Sequence, residues 1–119
     1  MRFMMMVKSA ENQGPPPQEL MDAMGKLVAE ASKSGQMVAT GGLAPTATSK
    51  RVRLSQGQLT VMDGPFIETK EVVGGFAIME FGSHQEALES AFAFMELHRK
   101  YWPGWEGVSE IRQVFGPEN

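Results

Sequence analysis

Cysteine is absent from the chain. That excludes disulfides, thiolate metal sites and a cysteine nucleophile, and it is compatible with a reducing cytosol. Positive charge is scarce: 11 Lys and Arg stand against 14 Asp and Glu, for a net charge of −3. Without a basic stripe or patch, no direct nucleic-acid partner is expected. No apolar run approaches the roughly 20 residues that span a bilayer, so no membrane partner is expected either. The opening Met1-Arg2-Phe3-Met4-Met5-Met6-Val7 has one basic residue and no small-residue cleavage site before Lys8. A strand is the better reading, and the expected location is the cytoplasm. Repeats, low-complexity tracts and linkers are also missing. The 119 residues read as a single domain, 1–119, long enough to hold a core without staples.

What is present is a regular alternation of elements. Met1 to Lys8 is a short apolar run of strand length. Three consecutive prolines, Pro15 to Pro17, break any regular structure and suit the start of a helix. Leu20, Met21, Met24, Leu27, Val28 and Ala31 recur at helical spacing, with Lys33 in the last turn and Gly35 as the cap. Met37 to Thr40 reads as a second strand, ending at Gly41-Gly42. Arg51 to Leu54 and Leu59 to Met62 form a hairpin around Ser55-Gln56-Gly57-Gln58. Ile67 to Val73 reads as a charged loop or helical turn, and Gly75 to Phe81 as a strand. Ser83 with Glu86 makes a capping box for a second helix. The expected buried stripe of that helix is Leu88, Ala91, Phe92 and Met95, flanked by Ala87 and Phe94. Pro103-Gly104 stops it, and Val108 to Phe115 is the last strand.

This order predicts an α+β fold: a ferredoxin-like antiparallel sheet with two helices on one face. Phe76 and Ile78 then point one way while Ala77, Met79 and Phe81 point the other. Met1 to Val7 is likewise apolar on both faces. Two helices cover only one side, so a homodimer that packs sheet on sheet, a dimeric α+β barrel, is expected.

Met62-Asp63-Gly64-Pro65-Phe66, followed by Glu68-Thr69-Lys70-Glu71 and Gly74-Gly75-Phe76, resembles the YCII-related family in its DGPF-motif subgroup. Gly41-Gly42-Leu43-Ala44-Pro45, Arg51-Val52-Arg53 and Glu110-Ile111-Arg112 extend the resemblance over nearly the whole chain. It implies the same ferredoxin-like dimeric barrel. Some members carry a His in the first helix, proposed as half of a His–Asp catalytic pair. The first helix here, Pro17 to Ser34, has no His and departs from that pattern. The subgroup is also associated with extracytoplasmic-function sigma factors, which implies a regulatory setting.

Candidate site residues each carry two readings. Asp63 is a general base or ligand anchor, or else the acceptor of an Asx turn. His98, near the end of the second helix, is the one acid/base suited to neutral pH, or a packing residue beside Tyr101. His84, in the first turn of that helix, reads as a neutral surface residue. Arg51 and Arg53 share a strand face that holds a ligand carboxylate or phosphate, or is simply solvated. Glu68, with Lys70 and Glu71, is a ligand-binding acid or part of a solvated loop. Trp102, with Tyr101 and Trp105, lines a pocket, anchors an interface or plugs the core. Ten methionines suit an adaptable cavity or ordinary core filling. No Walker or dinucleotide motif is present, and the two His residues are too far apart for a helical metal pair. No metal and no cofactor are therefore expected.

Three functions remain open from sequence. One is a non-enzymatic dimeric module that binds a small molecule or a partner. Another is a cofactor-independent enzyme using Asp63 and His98 as acid and base. The third is a scaffold whose cleft is filled by its own side chains. A pocket of roughly 300 Å³ or more, lined by Asp63 and the Arg pair, would favour ligand binding.

Overall fold

A computed structural model describes residues 1–66 and 69–116. The elements run β1 (Arg2–Ser9), α1 (Gln18–Lys33), β2 (Met37–Gly42), a 3-10 turn (Thr46–Thr48), β3 (Lys50–Ser55), β4 (Gln58–Asp63), β5 (Val72–Glu80), α2 (His84–Tyr101) and β6 (Gly107–Gln113). Four strands make an antiparallel sheet in the order β2-β5-β1-β6, and β3 pairs only with β4 in a separate two-stranded sheet. The fold is thus α+β and ferredoxin-like, with the β3–β4 hairpin inserted between the second and third strands of the main sheet.

Local signals explain most boundaries. The Pro17 carbonyl accepts the N–H groups of Leu20 and Met21 and starts α1. Gly35, at φ +83°, takes the left-handed position after its end. The Ser83 hydroxyl accepts from the Glu86 N–H at 3.2 Å, and the Glu86 carboxylate reaches back to the Gly82 N–H at 2.7 Å. Gln56 and Gly57 both have positive φ, as a two-residue hairpin loop requires.

The core lies between the main sheet and the helices. Phe3, Met5, Ala31, Met79, Phe81, Ala87 and Ala91 form it. Phe3 and Leu20 are wholly buried. The opposite sheet face carries Met4 and Met6 of β1 beside Ile78 and Phe76 of β5, all half-buried.

Three expectations are corrected. β5 begins at Val72, inside the segment read as loop, and β6 ends at Gln113, short of Phe115. Leu88 and Phe92 are exposed, so the buried stripe of α2 is Ala87, Ala91 and His98, with Phe94 and Met95 half-buried. Small alanines let the helix sit close on the sheet, and the larger Leu88 and Phe92 fall outside that contact.

Candidate functional site

The sheet, α1 and α2 do not close on one another. They leave a cavity of about 700 Å³. β1 contributes Met5 and Val7, α1 contributes Leu20, Met24 and Val28, and α2 contributes Ala91, Phe94 and His98. Trp102 and Trp105 line it from the turn after α2. The wall is mostly aliphatic, thioether and aromatic.

His98 is the one buried polar side chain among the described residues, at 6 % exposure. Its Nδ1 lies 3.0 Å from the Phe94 carbonyl oxygen, one helical turn back. Burial pushes its pKa below the ordinary value, and the bond to Phe94 only partly opposes this. The Phe94 ring is centred 4.9 Å and the Trp105 ring 4.6 Å from the imidazole, with Trp102 stacked on Trp105 at 5.8 Å. Gly107 makes room for this group: a Cβ there would lie 2.3 Å from the Trp105 ring and 2.9 Å from the Lys8 carbonyl.

Two side chains strap the rim. The Gln13 amide donates to the Glu106 carbonyl and accepts from the Glu106 N–H, both at 2.9 Å. The Glu11 carboxylate accepts from the Thr46 backbone N–H and from its hydroxyl, which lowers the Glu11 pKa.

A second concavity, of about 540 Å³, lies at the root of the hairpin and is lined by Arg51, Phe66, Thr69 and Glu71. The Arg51 guanidinium sits 3.6 Å from the centre of the buried Phe66 ring, a cation–π contact. Gly64 carries the chain through a tight crossing: its N–H donates to the Ser49 carbonyl at 2.8 Å, and a Cβ would meet the Thr46 carbonyl oxygen at 1.6 Å. The Gly64–Pro65 bond is cis. The Asp-Gly-Pro-Phe string therefore builds the base of the hairpin.

The sequence candidates separate accordingly. His98 and Trp102 line the larger cavity, and Arg51 lines the smaller. Asp63 and Arg53 line neither. Asp63 ends β4 in the hairpin, where its exposed carboxylate accepts from Lys50 Nζ at 2.6 Å and, among the described residues, from no backbone N–H of its own turn. Arg53 lies opposite Thr60 on the hairpin, on the same face as Arg51. Glu68 lies outside the described residues. His84 is exposed and meets the edge of Phe3. Among the described residues, no three His, Asp or Glu side chains group as metal ligands, and no helix is long and apolar enough to cross a membrane. Phe94, Met24 and Gln13 were not singled out from sequence as site residues. The one available signal was the four-residue spacing that puts Phe94 and His98 on one helix face.

Comparison with known proteins places these features in a family. The model of the YCII-related domain matches residues 1–98. The chain belongs to that family. It is also 39 % identical over 71 residues to an uncharacterised protein of Rhizobium meliloti (strain 1021). That match takes in 60 % of this chain and 55 % of the relative, so the chain spans about half the length of the curated relative it matches.

Proposed function

We propose that this YCII-related chain is a non-enzymatic module that binds a small, largely apolar molecule and works as a homodimer. The observation that carries this reading is the cavity of about 700 Å³, apolar-walled, with one buried polar group, His98. Binding sites for small molecules have this size and this sparing use of polar groups. Acid/base catalysis by Asp63 and His98 is the weaker reading, because the two line no common cavity. The open sheet face around Met4, Met6, Phe76 and Ile78 is the surface a second copy would cover, as sheet-on-sheet packing requires. The Asp-Gly-Pro-Phe string supports membership of the DGPF-motif subgroup. Through that subgroup we propose a cytoplasmic, single-domain protein in a regulatory setting tied to sigma factors.

An environment-sensitive apolar dye tests the cavity. Its fluorescence should rise and saturate at about one dye per chain, and Met24→Trp, which narrows the cavity, should weaken dye binding while leaving the melting temperature near that of the parent. No uptake by the parent chain, or equal uptake by Met24→Trp, overturns the reading.

A further inference from the structure

We infer that the larger cavity takes a neutral aromatic alcohol, of the phenol or naphthol class, whose hydroxyl donates its hydrogen to His98 Nε2. This rests on the small-molecule reading of the same cavity and goes beyond it by naming the chemistry of the ligand.

A backbone carbonyl can only accept, so the Nδ1 that faces the Phe94 oxygen at 3.0 Å must carry the hydrogen. Burial disfavours the imidazolium, so Nε2 is left as a bare lone pair. Nothing among the described residues donates to it. Yet no buried side-chain nitrogen or oxygen is both sealed off and unpartnered. His98 is 6 % exposed and lines the cavity, and Nε2 is its one ring nitrogen without a partner among the described residues. Because Nε2 is reachable, water can meet it in the empty cavity, and a guest that displaces that water must bring its own donor or leave the acceptor unmet.

The rest of the wall decides which donor. A carboxylate or an ether would set lone pair against lone pair. An ammonium would lose its hydration beside a wall whose acid, Glu11, already has both oxygens on Thr46. A neutral hydroxyl avoids both costs. The Trp102–Trp105 stack and Phe94 flank the imidazole, so a flat ring attached to that hydroxyl finds aromatic faces beside it.

The test is a calorimetric titration with 2-naphthol, 2-methoxynaphthalene and naphthalene. The ether keeps the oxygen and removes only the donor. 2-Naphthol should bind about tenfold more tightly than either, the value of one buried hydrogen bond. His98→Phe should erase that margin, so that 2-naphthol, the ether and naphthalene all bind the variant with the same affinity. With the parent chain alone, the pyridine-type 15N resonance of His98 Nε2 should move on adding 2-naphthol and stay put on adding the ether. Equal binding of all three compounds overturns the inference and leaves the apolar-cavity reading standing. Failure of all three to bind overturns both.

Discussion

The molecule contains two kinds of strand pairing that look alike on paper and differ in what faces them. In the main sheet, the alternate residues Phe3 and Met5 of β1 are 0 % and 8 % exposed, because α2 and the neighbouring strands close over them. In the β3–β4 hairpin, Val52 pairs with Val61 and Leu54 with Leu59 on one face. These four are 70 %, 68 %, 70 % and 71 % exposed, in that order. The hairpin stands off the body as an arm. The radius of gyration is 16.2 Å, against about 13.5 Å expected of a compact chain this long. Alternation in a sequence declares that a strand has an apolar face; it does not declare what will cover it.

Three variants probe that contrast. The largest effect belongs to the body. Phe3→Ala removes a wholly buried ring that packs against Phe81 and His84 and should cost about 3–5 kcal/mol in urea unfolding. A loss below about 1 kcal/mol would mean that the sheet–helix core is not what holds the body together. At the junction, Gly64→Ala drives a methyl into the Thr46 carbonyl; the expected loss is about 2–3 kcal/mol, less if the arm swings free instead. Hydrogen exchange distinguishes the two, since a detached arm loses protection in β3 and β4 alone. On the arm itself, Leu54→Thr with Leu59→Thr should change unfolding at high dilution by no more than about 0.5 kcal/mol, as exposed sites do. Sedimentation at micromolar concentration should nevertheless show weaker self-association. If the double variant associates like the parent, the arm takes no part in the proposed dimer, which would then rest on the open sheet face alone.

Much of the frame was legible because its punctuation is local. The prolines at 15–17, Gly35, the Ser83–Glu86 box and Gln56-Gly57 each mark a boundary through contacts within a few residues. Where the reading slipped, the deciding contact was distant. Val72 and Val73 look like the end of a charged loop until they pair with Ser9 and Lys8. Leu88 and Phe92 look buried until the close seating of Ala87 and Ala91 leaves them outside. The candidate site was less legible still. His98 and Trp102 were singled out, but their assembly with Met24 of α1 and Met5 of β1 depends on how far the helices stand from the sheet, which no spacing encodes. Asp63 drew notice as a carboxylate beside a forced turn, whereas the close approach in that motif is made by Gly64.

The rim straps have a consequence for entropy. The Gln13 amide meets both backbone groups of Glu106, as a strand residue meets its ladder partner, while Glu11 holds Thr46 across the opposite gap. Between these two anchors and α1 the chain passes through Pro15, Pro16 and Pro17, whose backbones have little freedom left to lose. An unanchored loop of that length would have to be ordered by whatever entered, at about 1 kcal/mol or more for each residue fixed. Here the rim is ordered before anything arrives, so a guest's contacts go into affinity and not into arranging the rim.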